Sequence, residues 1–298
     1  MTIIPLTETL LRSLPLPKHG EGGSKQIRGQ VLIVGGSRQV PGAALLAGTA
    51  ALRAGAGILQ IATVRSVAVA LAVAMPEAMV IGLDETAEGD IAASDADRIA
   101  DLAANCDSVL IGPGMLDETS ASLIAARILD AAPRTSVVLD AAAFTGMKDY
   151  EQFSAHGGRL AVTPHAGEMA KFLDDDRDEI ENDMLGAGRR AAKKTSGVVA
   201  MKGAETHILA AESAWLSRQG SIALATSGSG DTLAGLLAGL LARGADPVTA
   251  TLWAVYVHGE AGLRLEMEHG KFGGLARELP SLFPAILNEL NGDRMLRT

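Results

Sequence analysis

The sequence predicts an α/β fold with a mostly parallel central sheet between layers of helices. Short β-rich runs alternate with alanine- and leucine-rich helical stretches along the 298 residues. The runs in the middle of the chain are continuously apolar, as expected for strands that are covered on both faces. Hydrophobic residues make up 48% of the chain, which is enough for a large core. We expect a single domain over residues 1–298, with its core at about residues 29–285.

The predicted elements follow in chain order from the first apolar run. Residues 31–34 are the first strand, and the alanine-rich stretch 42–53 is the helix after it. Further strands are predicted at 59–64, 108–111, 136–139, 159–162, 198–201, 206–211 and 222–225. The acidic run 173–179 is expected to be a solvated loop or a helix start, with metal binding as the lesser alternative.

A long helix near the C-terminus is predicted from a stripe of leucines. The leucines between residues 233 and 241 have the spacing of one apolar helix face. The helix is therefore expected to begin at about Asp231 or Thr232, and Gly244 with Pro247 marks its end.

The glycine-rich turn before this helix has the composition of an anion site. Free N–H groups and the positive end of the helix dipole favour phosphate, and Gly228 and Gly230 let a ligand approach the backbone. Phosphate repels a neighbouring carboxylate, so Asp231 is better explained as the proton acceptor for an attacking hydroxyl than as a phosphate ligand. The alternative is that Asp231 is an ordinary helix cap.

Polar and glycine-rich clusters follow several predicted strands. They are 35–37, 112–114, Asp140, 163–165 and 202–204. Because ligands bind beyond the carboxyl ends of parallel strands, these clusters and the Asp231 turn are expected to share one cleft. Taken alone, 112–114 would be only a turn, and His165 would more often be a structural histidine.

Composition excludes several other classes of protein. A net charge of −9, with two Trp, two Tyr and five Phe, argues against a nucleic-acid surface. The single cysteine, Cys106, allows no internal disulfide, and no Cys/His cluster has the spacing of zinc ligands. The dinucleotide-binding, Walker and α/β-hydrolase fingerprints are absent. With neither a targeting segment nor a membrane span, the chain is expected to be soluble and cytoplasmic.

Taken together, these clusters resemble the ribokinase-like superfamily and, within it, the ADP- or ATP-dependent NAD(P)H-hydrate dehydratase family, over about residues 29–280. The matching segments are 31–37 with 41–44, 75–79, 112–114, 163–168, 202–206 and 228–231. The segment 163–168, Thr-Pro-His-Ala-Gly-Glu, is the most specific to the family. A further similarity lies at 257–262, where His258 is expected to be a packed helix residue rather than a catalytic one. The compact chain looks like the stand-alone bacterial type.

The resemblance implies a lyase that repairs NADH or NADPH hydrated on the nicotinamide ring. A nucleotide, ADP in preference to ATP, phosphorylates the ring hydroxyl, and elimination of phosphate restores the dihydropyridine. By resemblance, Asp231 takes the hydroxyl proton, while the backbone amides of Ser229 and Gly230 stabilise the developing charge.

The resemblance also implies the binding residues. The positions that match contacts to the hydrated cofactor are Ala43, Gly114, His165 and Asp231. The positions that match contacts to the adenine nucleotide are Lys202, Gly203, Ala204, Glu205, Thr206 and Gly230. A buried lysine paired with local acids is the alternative for Lys202. Mg²⁺ is expected to accompany the nucleotide without a dedicated protein ligand, and a homotetramer is expected because family members often assemble in this way.

One segment departs from the family pattern. Where the family has Asp-Ala-Asp-Ala-Leu-Asn, residues 140–145 are Asp-Ala-Ala-Ala-Phe-Thr, so Ala142 replaces the second acid. If that acid organises water or magnesium, activity or ligand preference would change; if it is structural, little would change. Two alternatives remain: a ribokinase-like small-molecule kinase, such as a hydroxyethylthiazole kinase, and a nucleotide-binding regulatory protein without turnover.

Overall fold

The computed structural model describes residues 2–18 and 24–291. Its strands are β1 (Ile3–Pro5), β2 (Gln30–Val34), β3 (Ile58–Val64), β4 (Ala78–Leu83), β5 (Ser108–Ile111), β6 (Ser136–Leu139), β7 (Leu160–Val162), β8 (Val198–Met201), β9 (Thr206–Ala210) and β10 (Ser213–Ser217). Its α-helices are α1 (Glu8–Ser13), α2 (Gly42–Arg53), α3 (Arg65–Ala74), α4 (Ala96–Ala103), α5 (Glu118–Ala131), α6 (Ala141–Gly146), α7 (Ala166–Leu173), α8 (Arg177–Asn182), α9 (Met184–Thr195), α10 (Ser229–Ala242), α11 (Pro247–His269) and α12 (Leu279–Asn291).

The strands form a continuous sheet in the order β1-β10-β9-β8-β7-β6-β5-β2-β3-β4. Adjacent strands are parallel within the run β8-β7-β6-β5-β2-β3-β4, and β1 is parallel to β10. Strand β9 is antiparallel to both β8 and β10. The predicted α/β fold with a mostly parallel sheet is therefore confirmed.

Helices cover both faces of the sheet. Along β2, Val31 and Ile33 enter one hydrophobic core, which includes residues of α2, α10, α11 and α12. Leu32 and Val34 enter a second core, which includes residues of α4, α5, α7 and α9. Burial of both faces explains why continuous apolar runs could predict these strands. Among the described residues, no helix combines the length and the apolar character needed to cross a membrane.

Most predicted elements are confirmed to within one residue at each end, but the strand predicted at 222–225 is wrong. Ile222–Leu224 instead form a short 3₁₀ helix, because the Ser221 hydroxyl accepts a hydrogen bond from Ala223 N (3.0 Å) and closes the turn. Strands β1, β4 and β10 were not predicted. The acidic run 173–179 spans the end of α7 and the start of α8, and no metal-binding cluster is found in the described residues.

Helix α10 begins at Ser229, two residues before the earliest predicted start. Its N-cap residue is Gly228, which has a left-handed backbone (φ 89°) and no side chain to cap the helix. Asp231 therefore lies in the first turn, and the alternative that it is the helix cap is wrong. At the other end, Gly244 (φ 85°) follows the last turn as predicted.

Helices α2 and α10 pack against each other with their backbones in contact. A Cβ atom on Gly239 would lie 2.6 Å from the carbonyl oxygen of Ala51, and one on Gly235 would collide with the carbonyl oxygen of Ala47. Because both contacts advance by four residues in the same direction, the two helices run parallel. One turn earlier, the same register places Ala43 opposite Asp231.

Gly235→Ala is expected to destabilise the protein by about 1–3 kcal/mol, because the added methyl group forces the two helices apart. Ordinarily, replacing a helical glycine by alanine stabilises by about 1 kcal/mol. Gly42→Ala is the matched control, since a Cβ at Gly42 meets no atom within 4 Å. Urea unfolding measures both, and equal stability of the two variants would contradict the backbone contact.

Candidate active site

The ends of five neighbouring parallel strands, β2, β5, β6, β7 and β8, meet at the carboxyl edge of the sheet. The hydrogen bonds that join the segments after them include Gly36 N to Pro113 O (2.7 Å), Thr163 Oγ1 to Asp140 Oδ1 (2.7 Å) and Lys202 N to Pro164 O (2.8 Å). The clusters that follow these strands are thus brought together, as the topology of a parallel sheet requires.

Lys202 lies at the centre of a group of buried charges. Its Nζ is 3.5 Å from Asp140 Oδ1 and 3.8 Å from Glu168 Oε2. Burial alone would lower the pKa of Lys202, but the two carboxylates outweigh burial and raise it, so the ammonium stays charged. Burial raises the pKa of Glu168, partly against the attraction of Lys202. The side chain of Asp140 is 4% exposed.

Asp231 has the properties of a carboxylate that exchanges a proton near neutral pH. Burial, reinforced by the negative charges of Asp140 and Glu168, raises its pKa to about 7, although Lys202 pulls in the other direction. A group whose pKa lies near the working pH is suited to general base catalysis.

The first turn of α10 presents two free backbone amides. The amide of Ser229 donates to Thr226 O (3.2 Å), and so it is engaged in the turn rather than free. Within the described residues, the amides of Gly230 and Asp231 have no hydrogen-bond acceptor. Of the two amides predicted to stabilise developing charge, the Gly230 amide is available and the Ser229 amide is not.

Gly230 faces the lysine. A Cβ atom at this position would lie 3.3 Å from Lys202 Nζ, so the absence of a side chain leaves room beside the ammonium group. A helix N-terminus with free amides, next to a lysine, favours a bound anion such as a phosphate. The site therefore combines a place for phosphate with an adjacent proton acceptor, Asp231.

His165 caps helix α7. Its Nδ1 accepts hydrogen bonds from Gly167 N (3.0 Å) and Glu168 N (3.3 Å), while the Glu168 carboxylate accepts one from His165 N (2.8 Å). The side chain is 58% exposed. Because Nδ1 accepts, a neutral His165 carries its proton on Nε2, which can donate to a ligand.

A cleft of about 830 Å³ opens at this edge of the sheet. The predicted residues that line it are His165, Lys202, Gly203, Ala204, Thr206, Ser229 and Gly230. Lining residues that sequence reasoning did not identify as binding residues include Gln219, Ser221, Ile222, Leu224, Thr226, Leu233, Val255, His258 and Gly259. The sequence signal for part of this wall, the apolar run 222–225, was interpreted as a strand.

Four predicted site residues are not among those lining the cleft: Ala43, Gly114, Glu205 and Asp231. The exposed Glu205 pairs with Arg218 at 2.7 Å. Ala43 and Gly114 adjoin each other, since a Cβ on Gly114 (φ 69°) would lie 2.9 Å from Ala43 Cβ. By the helix register, Ala43 lies on the side of Asp231 that faces α2.

Ala142, which stands where the family has an acid, is 8% exposed and belongs to the second hydrophobic core. Asp140, two residues before it, keeps its contacts with Thr163 and Lys202. The substitution therefore leaves the Lys202 charge group in place.

Known proteins match the chain over most of its length. A sequence profile of the NAD(P)H-hydrate dehydratase family matches residues 31–284. The chain is 47% identical, over 96% of each sequence, to the ADP-dependent (S)-NAD(P)H-hydrate dehydratase of Xanthomonas campestris pv. campestris. It also spans about half (54%) of longer relatives that are bifunctional NAD(P)H-hydrate repair enzymes.

Solved structures show the same architecture. The ADP/ATP-dependent NAD(P)H-hydrate dehydratase of Bacillus subtilis, co-crystallised with ATP and Mg²⁺, superimposes with a TM-score of 0.82 at 30% identity, over 97% of this chain and 99% of that one. A ribokinase-like superfamily protein of Enterococcus faecalis gives a TM-score of 0.82 at 23% identity, over 97% and 96% of the two chains.

The mostly parallel sheet between its two layers of helices is a ribokinase-like fold. The family profile and the 47% identical relative then place the protein within that class: the chain belongs to the NAD(P)H-hydrate dehydratase family.

Asp231→Asn is expected to stabilise the folded protein at pH 8 but not at pH 4. The unfolded chain releases this proton near pH 4, whereas the folded chain retains it to about pH 7, so the ionised carboxylate costs stability as the pH rises between these values. The gain is about 1.4 kcal/mol for each unit of raised pKa. Urea unfolding of both proteins from pH 4 to 8 measures it; a constant difference between them would contradict the raised pKa.

Proposed function

We propose that this protein is an ADP-dependent (S)-NAD(P)H-hydrate dehydratase in which Asp231 is the general base. The activity follows from family membership and the 47% identical relative. One observation supports the role of Asp231: a half-buried carboxylate with a pKa of about 7 lies in the helix turn that offers the free amides of Gly230 and Asp231 beside Lys202.

The reaction begins when the ring hydroxyl of the hydrated nicotinamide attacks the terminal phosphoryl group of the nucleotide. The hydroxyl proton passes to the Asp231 carboxylate, the bond to the remaining nucleotide breaks, and AMP leaves when the donor is ADP. The amides of Gly230 and Asp231 and the ammonium group of Lys202 stabilise the charge on the transferred group. The carbon–oxygen bond to the phosphate then breaks, the neighbouring ring carbon loses a proton to the departing phosphate or to water, and the electrons of that C–H bond form the double bond of the dihydropyridine.

The two substrates are proposed to occupy opposite sides of Asp231. The nucleotide takes the cleft lined by Lys202, Gly203, Ala204 and Thr206, where the turn after β8 offers backbone groups beside the lysine. The hydrated NADH or NADPH takes the side of Ala43 and Gly114, where small residues permit close approach. His165, which lines the cleft, is proposed to donate from Nε2 to the hydrated NADH or NADPH. Glu205 pairs with Arg218, so the proposed contact from Glu205 is through its backbone.

Magnesium is proposed to enter with the nucleotide. The described residues contain no cluster of three or more metal-binding side chains, which fits an ion held by phosphate oxygens and water. When bound, it would neutralise phosphate charge. A single domain, a homotetramer and a cytoplasmic location complete the proposal; the unbroken sheet between two hydrophobic cores supports the single domain.

The purified protein should restore the dihydronicotinamide absorbance of hydrated NADH when Mg²⁺ and ADP are present. Parallel reactions with ATP identify the phosphoryl donor, and reactions without Mg²⁺ test the ion. Formation of a stable phosphorylated alcohol without recovery of absorbance would favour a small-molecule kinase. Binding of ADP without release of phosphate would favour the regulatory protein.

Asp231→Asn is expected to lower kcat by about 10²–10⁴-fold and to leave ADP binding intact, because it removes the base and not the amides. In the wild type, kcat/KM should rise with pH through about 7, as Asp231 loses its proton. Stopped assays at pH 5.5–8.5 and calorimetric titration with ADP check both points. A variant with near-normal turnover would remove Asp231 from the mechanism.

A further inference from the structure

His258 lies beneath the first turn of α10, and the proposed reaction gives it no part. It belongs to α11 and is 6% exposed. Its Nε2 lies 3.0 Å from Ser229 O, 3.2 Å from Thr232 Oγ1 and 3.3 Å from Ser229 Oγ. Because a carbonyl oxygen can only accept, the contact with Ser229 O assigns the imidazole proton to Nε2.

The imidazole is neutral at physiological pH. Burial, together with the nearby positive charge of Lys202, lowers the pKa of His258 to about 4, against the effect of its hydrogen bond to Ser229. A neutral imidazole has one N–H, and Ser229 O is its nearest acceptor. The Thr232 hydroxyl donates to the same carbonyl oxygen at 2.7 Å. The imidazole therefore ties the start of α10 to α11 through this carbonyl group, and the Thr232 hydroxyl adds a bond within the turn.

Helices α5 and α11 begin differently, each with a capping side chain. Asp117 caps α5 by accepting from two backbone amides of its first turn, and Asp246 caps α11 in the same way. A capping side chain at the start of α10 would occupy the amides that a phosphate needs. Gly228 offers no side chain, and His258 instead holds the turn through the carbonyl oxygen of Ser229.

We propose that His258 is a positioning residue for phosphoryl transfer: it fixes the first turn of α10 so that the amides of Gly230 and Asp231 and the Asp231 carboxylate keep their relative geometry. The inference rests on the proposed function and adds a residue to it. His258 also lines the cleft, and in this scheme it acts on the reacting groups through Ser229.

The test compares His258→Leu, which removes the donor, with His258→Gln, whose amide nitrogen can take the place of Nε2. The Leu variant is expected to lose about 10-fold or more in kcat, with the KM for ADP changed by less than about threefold, because ground-state binding is retained. The Gln variant should keep kcat within about threefold of the wild type. If the Leu variant fails to fold, His258→Asn replaces it, since its shorter amide cannot reach Ser229 O.

Val257→Ala is the control for packing, because Val257 is the fully buried neighbour of His258 on α11 and makes none of these hydrogen bonds. It should lower Tm and leave kcat unchanged. In an Asp231→Asn background, His258→Leu should cause little further loss of kcat, since the two residues act as a unit.

An unchanged kcat in the donor-lacking variant, or equal losses in the Leu, Gln and Val257→Ala variants, would overturn the positioning role and leave the dehydratase assignment intact. Absence of dehydratase turnover in the wild type would count against the proposed function itself, and the positioning role would fail with it.

Discussion

The backbone contact between α2 and α10 is the constraint on which the site depends. Both helices begin at the carboxyl edge of the sheet, and neither receives a hydrogen bond from a capping side chain. Parallel helices bring their positive dipole ends together, which is unfavourable in the absence of a negative charge. Gly235 and Gly239 allow an approach close enough for packing to outweigh this cost, and the same approach places the free amides of α10 beside α2.

The three carboxyl groups at the site differ because their neighbours differ. Lys202 lies within ion-pair distance of Asp140 and Glu168, and no such contact joins it to Asp231 in the described part of the chain. Asp140 also accepts a hydrogen bond from Thr163. Burial and like charges raise the pKa of Asp231 to about 7. Burial raises the pKa of Glu168 as well, but Glu168 has the nearby ammonium group of Lys202 as its partner.

The sequence was sufficient to predict an element where the pattern that defines it lies within that element. Continuous apolar runs predicted the central strands, and the leucine stripe predicted α10, because burial on two faces or on one face imposes these spacings. It was insufficient for Ile222–Leu224, which have the apolar content of a strand but form a 3₁₀ helix that the Ser221 hydroxyl closes. It was also insufficient where tertiary contacts decide: the bond from His258 to Ser229 O joins segments whose proximity no local pattern reveals.

The antiparallel hairpin of β9 and β10 allows one continuous stretch of chain to form most of the cleft, and this affects how the cleft can vary among related proteins. Because the chain leaves β8 at the cleft and returns there after the hairpin, residues 202–230 supply most of the lining from one continuous stretch. The proposed site of the hydrated cofactor is formed instead by α2, which carries Ala43, and by the segment after β5, which carries Gly114. With the substrates placed as proposed, substitutions in the continuous stretch would change the choice of phosphoryl donor without disturbing the parallel strands, whereas recognition of the hydrated cofactor would be tied to residues whose close packing the fold requires.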